Sequence, residues 1–330
     1  MRSCEAGRSG QAPRRAWPLA ALGAAALAAC GGSGAHTAPS DQSAPPASDP
    51  TTPTPPASQP QPQPSPQPPA QPPGPTALPQ APPQPVAALP AAYRLVWQDE
   101  FDGAAVDPTK WNVFAWARGD AQDTPDAVTV ADGVLRITTY TENGVHKTGF
   151  LSTEYGHFEA THGYFEARIR FHGAPGQWCS FWLTSPTIGN PRGDPGHAGA
   201  EIDVVEHRLV DDGGWQLADY VGQNVIWDGY GAGKSNDHSV EQLPGGAPVN
   251  GAWHTFAVRW DETGYVFYVD ANEQWRTSKG LSARSEYMLL TCEVLDHDWA
   301  GNIPAAGYGP RATSAAGMEV DWVRVWQLGP

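Results

Sequence analysis

Short runs of alternating apolar and polar residues dominate the chain from about residue 93 onward. Side chains on a β-strand point alternately to the two faces of a sheet, so this alternation is typical of half-buried strands. Gly, Pro, Asn and Asp separate the runs, and no long stretch has a helical period. The pattern predicts strands over residues 134–140, 163–171, 178–183, 201–206, 253–260, 265–270, 287–294 and 319–326. Many short strands at this spacing predict an all-β sandwich or barrel.

The N-terminal residues have a different pattern. Four arginines precede an apolar run over residues 16–29, which is too short for a comfortable membrane span. The run leads into the sequence LAACG, whose fourth residue is Cys30. This sequence resembles the lipobox of bacterial lipoproteins, in which the cysteine is lipidated and becomes the new N-terminus. We therefore expect residues 1–29 to be a lipoprotein signal peptide; an ordinary signal peptide is the alternative.

A lipid on Cys30 would hold the exported protein on a membrane surface, facing the periplasm or the cell exterior. Beyond it, 21 of the 34 prolines lie between Pro39 and Pro90, among residues with almost no large apolar side chains. Such a segment cannot bury enough surface to offset the entropy of ordering, and its Pro-Gln repeats favour an extended conformation. We predict a disordered linker over residues 30–92 and one globular domain over residues 93–330.

The most informative strand is 201–206, within the sequence AEIDVVEH. Strict alternation places Glu201 and Asp203 on one face of the sheet and Glu206 on the other. A one-residue bulge around Val204 and Val205 would return Glu206 to the face of Glu201. Three carboxylates on one face repel one another, a cost that proteins usually tolerate where chemistry needs it. A solvated acidic strand face is the alternative.

Two carboxyl groups about 5–5.5 Å apart are the arrangement used for retaining glycoside hydrolysis. In that chemistry one carboxylate attacks the anomeric carbon and the other carboxyl group protonates the leaving oxygen. A third negative charge, here Asp203, would help to keep the acid protonated and the nucleophile oriented.

The strand resembles the signature Glu-Ile-Asp-x-(x)-Glu of glycoside hydrolase family 16, and the resemblance extends over about residues 95–328. Five further stretches are similar to that family: 96–103 (VWQDEFDG), 155–159 (YGHFE), 163–169 (GYFEARI), 178–183 (WCSFWL) and 320–325 (VDWVRV). The resemblance implies a jelly-roll sandwich of two antiparallel sheets with an open concave substrate cleft. It also implies that Glu201 is the nucleophile, Glu206 the acid/base and Asp203 the assisting residue.

The bulged form of the signature is typical of laminarinases, agarases and carrageenases. We therefore predict a retaining endo-β-glycosidase acting on β-1,3-glucan or mixed β-1,3/1,4-glucan. The alternatives are a galactan hydrolase of the agar or carrageenan type, a transglycosylase and a non-catalytic glycan-binding protein. The net charge of −15 argues against nucleic acid or anionic lipid as a partner and weakly against a heavily sulfated polymer. We expect a monomer that contacts the membrane through its lipid anchor alone.

Tryptophans are abundant, with 14 in the chain. Trp178 and Trp182 share one strand face, and the family places both in the cleft, where flat rings stack on sugars. We expect Trp299 to be a third sugar contact. We expect other tryptophans to pack in the core. These are Trp253, Trp260 and Trp322.

The chain also departs from the family. Where many bulged members carry a His-Trp pair on the strand after the signature, it has Ile226 and Trp227, so a histidine thought to assist the carboxylates is missing. By alternation His207 points to the opposite face, as a structural residue. Asp321 matches an aspartate with which the family often holds one structural Ca²⁺, and a salt-bridged Asp321 is the alternative. Hydrolysis itself requires no cofactor.

Cys179 and Cys292 lie on two different predicted strands. Export permits a disulfide if the strands are neighbours. Two free buried thiols are the alternative, and we favour it.

Overall fold

The computed structural model describes residues 84–89 and 92–329. The expected signal peptide, the expected lipidation site Cys30 and most of the expected linker lie outside the described residues, and these assignments stay predictions. Within the described part of the chain, no helix combines the length and apolar character that a membrane span requires.

The regular secondary structure of the described residues is almost entirely β-strand. In chain order the strands are β1 (Tyr93–Asp99), β2 (Asn112–Val113), β3 (Ala117–Arg118), β4 (Ala121–Asp123), β5 (Val128–Ala131), β6 (Val134–Thr138), β7 (Tyr140–Glu142), β8 (Val145–Thr148), β9 (Phe150–Ser152), β10 (Gly163–His172), β11 (Gln177–Thr184), β12 (Glu201–Arg208), β13 (Tyr220–Trp227), β14 (Ser235–Gln242), β15 (Trp253–Asp261), β16 (Gly264–Val269), β17 (Asn272–Thr277), β18 (Tyr287–Val294) and β19 (Gly317–Leu328). The helical turns are α1 (Pro195–Ala198) and two 3₁₀ turns, Pro125–Ala127 and Pro244–Gly246.

The strands form two large antiparallel sheets. The first sheet has the order β17-β16-β15-β10-β19-β6-β5, with β1 also paired to β19. The second has the order β14-β13-β12-β11-β18-β9-β2. A small third sheet, β3-β4-β8-β7, contains the one parallel pair within the described residues, β4 with β8. All eight strands predicted from alternation are present.

The core lies between the two large sheets. Alternate residues of β10, such as Phe165 and Ile169, meet alternate residues of β11, such as Phe181 and Leu183, and all four are fully buried. Because successive side chains point in opposite directions, the remaining residues of β11 and β12 lie on the outer face of the second sheet. We call this outer face the site face.

Trp260 is fully buried in the core, as expected. Trp253 is not: it is half-buried on the outer face of the first sheet, with the guanidinium carbons of Arg168 and Arg170 each 4.9 Å from its ring. Trp322 is buried on that same face under Arg324, 4.1 Å from the ring. Arginine side chains can cover an indole ring and exclude water from it, as apolar side chains do in a core. The sequence alone therefore did not distinguish a tryptophan in the core from one covered by arginines on the outer face.

Cys179 and Cys292 are direct neighbours in the antiparallel pair of β11 and β18, and they form a disulfide with an S–S distance of 1.98 Å. Both are buried on the core side of the second sheet. The expectation of free thiols was wrong. The sequence did not show that strands 113 residues apart would pair in this register.

Part of the expected linker packs on the domain. Ala87 is buried against Tyr164 and Trp326 on the outer face of the first sheet. The backbone N–H of Val86 donates to Oε2 of Glu166 at 3.3 Å. Burial raises the pKa of Glu166 to about 7, although hydrogen bonds from Tyr164 and Val86 oppose the rise.

Candidate active site

Strand β12 carries the three candidate acids, and its pairing contains the expected bulge. On the β11 side, Trp182 pairs with Asp203 and Phe181 with Val205, so Val204 is the extra residue. On the β13 side the register also shifts between Asp203 and Glu206. Both valines are fully buried on the core side.

The bulge brings Glu206 to the site face. Glu206 pairs with Ser180 of β11, and Glu201 pairs with Thr184. Ser180, Trp182 and Thr184 are alternate residues of one strand and share a face. Glu201 and Glu206 remain partly exposed, whereas Asp203 between them is 4% exposed. The structure therefore brings the three predicted acids together on one face.

The electrostatics of this cluster favour uptake of protons. Burial, followed by the charges of Glu206 and Glu201, raises the pKa of Asp203 well above its usual value. Burial and then the charge of Glu201 raise the pKa of Glu206 to about 8. Burial raises the pKa of Glu201 to about 7, against a hydrogen bond from Tyr230 that lowers it. A hydrogen bond thus favours the ionised form of Glu201, whereas the neighbouring charge of Glu201 favours the protonated form of Glu206.

Tyr230 is a site residue that the sequence analysis missed. It lies in the loop between β13 and β14, and its hydroxyl donates to Oε2 of Glu201 at 2.5 Å. The β13 residue paired with Glu201 is Ile226, which offers no side-chain hydrogen bond. No pattern in the sequence singles out Tyr230, because it lies in an irregular glycine-rich loop.

Glu293 is a second missed residue. It is on β18, opposite Trp178 of β11, and its Oε2 is 3.0 Å from a guanidinium nitrogen of Arg118. The charge of Glu293 contributes to the raised pKa values of Glu201, Asp203 and Glu206. A glutamate within the otherwise apolar run YMLLTCEV was a usable signal, because buried acids are rarely placed in a strand without a role.

The candidate sugar-binding tryptophans lie on the site face. Trp178 and Trp182 are each 7% exposed. The Trp182 indole N–H donates to Oγ1 of Thr291 at 3.1 Å. The Trp178 and Trp299 rings meet edge to face, with their centroids 5.4 Å apart. The guanidinium carbon of Arg208 lies 4.3 Å from the centroid of the Trp299 ring. Their contact with sugar stays a prediction.

His207 points into the core, as alternation indicated. It is 1% exposed, and its ring centroid is 5.1 Å from that of Phe171 on the first sheet. Its Nδ1–H donates to the carbonyl of Tyr220 at 3.2 Å. Burial lowers the pKa of His207 to about 4, so it is neutral at physiological pH and serves the fold.

Asp321 is on the outer face of the first sheet, at a register shift of β19. Its Oδ2 accepts a hydrogen bond from Arg168 at 2.5 Å. Calcium needs six or more oxygen ligands, and a guanidinium on the carboxylate competes with such a cation. Within the described residues, no group of three or more His, Cys, Asp or Glu could hold a metal. The ion pair with Arg168 agrees with the salt-bridge alternative, and calcium held by Asp321 with backbone carbonyls stays a prediction.

A family model described as the GH16 domain of β-porphyranases A–D matches residues 96–328. The chain belongs to this family. Among curated relatives, the GH16 domain is 23% identical to glucan endo-1,3-beta-glucosidase A1 of Niallia circulans, over 72% of this chain and 38% of the relative. It is 29% identical to endo-1,3-1,4-beta-glycanase ExsH of Rhizobium meliloti, over 60% of this chain and 39% of the relative. The chain spans less than half the length of these relatives.

Solved structures share the fold of this GH16 domain. The endo-beta-1,3-glucanase of Pyrococcus furiosus is 24% identical, with a TM-score of 0.58, and the match covers 72% of this chain and 95% of that one. Porphyranase B of Zobellia galactanivorans is 20% identical, with a TM-score of 0.59, over 74% and 98% of the two chains. These similarities confirm the predicted jelly-roll sandwich.

Proposed function

We propose that the protein is a retaining endo-β-glycosidase that hydrolyses a polysaccharide by double displacement. The observation that carries this proposal is the bulge in β12, which leaves Glu206 on the same face as Glu201 and Asp203. Catalysis of this type needs two carboxyl groups, one ionised and one protonated, that flank the scissile glycosidic bond.

In the first step, a carboxylate oxygen of Glu201 attacks the anomeric carbon while the glycosidic C–O bond breaks. The proton of Glu206 passes to the leaving oxygen. In the second step Glu206 takes a proton from water, the water oxygen bonds to the anomeric carbon, and Glu201 is released as a carboxylate. The raised pKa of Glu206 suits the acid, and the hydrogen bond from Tyr230 suits an ionised nucleophile.

For the substrate we propose β-1,3-glucan or mixed β-1,3/1,4-glucan. Curated relatives named endo-1,3-beta-glucosidase and endo-1,3-1,4-beta-glycanase support this choice. The net charge of −15 also favours a neutral polymer. A galactan is the second candidate, because the matching family model is that of β-porphyranases. We further propose that Cys30 anchors an exported monomer to a membrane, as its LAACG sequence suggests.

The proposal is tested by a panel of laminarin, lichenan, agarose, carrageenan and porphyran, with reducing ends and product lengths as readouts. We expect internal cleavage of laminarin or lichenan, with the β-anomer as the first product by NMR. Glu201→Gln and Glu206→Gln should each lower activity by about 10²–10⁴-fold or more while circular dichroism stays unchanged. Wild-type activity in Glu201→Gln would contradict the mechanism.

The same panel separates the alternatives. A galactan hydrolase would cleave agarose, carrageenan or porphyran and leave the glucans intact. A transglycosylase would redistribute chain lengths without a matching gain in reducing ends. A glycan-binding protein would retain polymer on affinity gels and release no product.

A further inference from the structure

The loop over residues 228–234 brings the phenol hydroxyl of Tyr230 within hydrogen-bond distance of Glu201, the proposed nucleophile. The Tyr230 hydroxyl donates to Oε2 of Glu201 at 2.5 Å, and the Tyr230 ring is 39% exposed beside it. The sheet neighbour of Glu201 on this side, Ile226, is apolar. A loop residue therefore supplies the hydrogen bond that the strand does not.

This loop is held by contacts that do not involve Tyr230. The Asp228 carboxylate accepts from the backbone N–H of Gly193 at 2.6 Å and from Ser235 Oγ at 3.2 Å. A Cβ at Gly189 would lie 2.5 Å from the Cα of Gly229, so the backbones of the two loops pack directly on each other. Both glycines have left-handed backbone conformations, which other residues rarely adopt. These contacts support the backbone on both sides of Tyr230.

We propose that Tyr230 is a positioning residue for Glu201: its hydroxyl holds Oε2, so that Oε1 is the oxygen that attacks the anomeric carbon. This inference rests on the proposed function. Hydrogen bonds to an ionised oxygen are stronger than those to a neutral one, so the contact stabilises the carboxylate form of Glu201 among its acidic neighbours. That stabilisation matters most where Glu201 is a carboxylate or is becoming one.

The hydrogen bond from Tyr230 acts differently in the two chemical steps, because the charge on Glu201 changes between them. After attack, Oε1 is bonded to the sugar and Oε2 is the neutral carbonyl oxygen of an ester, to which Tyr230 donates more weakly. In the second step water attacks the anomeric carbon, the ester C–O bond breaks, and negative charge returns to Glu201. Loss of the Tyr230 hydroxyl should therefore slow the release of the glycosyl-enzyme.

The test is Tyr230→Phe, which keeps the ring and removes the hydroxyl. We expect the acidic limb of the kcat/KM profile to move up by about one pH unit, the effect of losing one hydrogen bond to a charged group. We also expect kcat to fall at least tenfold and a glycosyl-enzyme to accumulate in mass spectra. Tyr155→Phe, at a tyrosine that is 79% exposed on another loop, is the matched control and should change neither quantity.

A second measurement does not depend on activity. In protein labelled with ¹³C at glutamate Cδ, the Glu201 resonance is the one that disappears in Glu201→Gln. We expect Tyr230→Phe to raise its titration midpoint by about one pH unit, because it removes the hydrogen bond that lowers the pKa of Glu201.

An unchanged midpoint would overturn the role of Tyr230 whether or not a substrate is known. A higher KM in Tyr230→Ala with a wild-type pH profile in Tyr230→Phe would also overturn it and indicate a sugar platform only. Activity in Glu201→Gln would instead overturn the proposed function, so the two failures are distinguishable.

Discussion

At the scale of single residues, identical side chains acquire different roles from their neighbours. Glu201 and Glu206 lie on one face, burial raises the pKa of each, and the charge of Glu201 further raises the pKa of Glu206. Tyr230 donates a hydrogen bond to one of them, which favours its ionised form. For the other glutamate, Glu206, the charge of Glu201 favours the protonated form. Assignment of nucleophile and acid thus depends on a hydroxyl that lies 29 residues from Glu201 in the sequence.

Glu293 supports the protonated form of the acid. Its charge contributes to the raised pKa of Glu206, while Arg118 partly neutralises it. Glu293→Gln removes the negative charge and leaves Arg118 unpaired, and both changes lower the pKa of Glu206. We expect the basic limb of the kcat/KM profile to move down by about 0.5–1 pH units.

The control for Glu293→Gln is Glu142→Gln, which makes the same charge change at an exposed glutamate paired with Lys147. This variant should leave the basic limb where it is. If both variants give the wild-type profile, Glu293 does not act on the acid.

At the scale of elements, alternation located eight strands but missed others that have an apolar face, such as β13 with its buried Val221 and Val225. The prediction of a strand over 201–206 corresponds to β12, and the demand for three acids on one face located the bulge correctly. Strand β14, SNDHSVEQ, was missed because it is an almost wholly polar edge strand with no buried face to mark it. Tyr230 was missed since its position depends on two loops packing together. Pairings distant in sequence leave no local pattern.

The disulfide is such a pairing, and it joins the two strands that carry Trp178 and Glu293. It closes a chain segment of 113 residues, so its loss should increase the entropy of the unfolded state. We expect the Cys179→Ala, Cys292→Ala double variant to lose about 2–5 kcal/mol of unfolding free energy in urea. Reductant should not change the urea midpoint of this double variant. It should lower the urea midpoint of the wild type when the wild type is unfolded and refolded in its presence. Equal midpoints for both proteins would show that the thiols are not joined.

At the scale of the whole molecule, the fold buries several carboxyl groups, wholly or in part, in an acidic chain. Fully or partly buried acids whose pKa values are raised include Asp123, Glu166, Glu201, Asp203, Glu206, Glu286 and Glu293. In each case burial is the largest cause. The folded protein therefore binds more protons than the unfolded chain at neutral pH.

Stability should consequently fall as pH rises above 6.5. A carboxyl group whose folded pKa is raised stabilises the fold below its unfolded value, and this stability is lost as pH rises through the folded value. Burial raises the pKa values of Glu206 and Glu286 to about 8, so their loss continues to about that pH. Burial lowers the pKa of His207 to about 4, so its contribution to stability increases as pH rises. That change takes place below 6.5, the pKa of histidine in the unfolded chain, and so does not affect the range above 6.5.

We expect the unfolding free energy to decrease by on the order of 2–4 kcal/mol between pH 6.5 and 8.5, with a fall of several degrees in Tm. Glu286→Gln should flatten this slope, because its amide oxygen can still accept the Ala200 N–H that Oε1 accepts at 2.9 Å, and no proton is exchanged. Glu142→Gln, at an exposed position, should keep the wild-type slope. A Tm that is constant or rises over this range would mean that the buried acids are ionised in the folded state. The proton that Glu206 is proposed to donate would then be absent at neutral pH, so the stability curve also tests the mechanism.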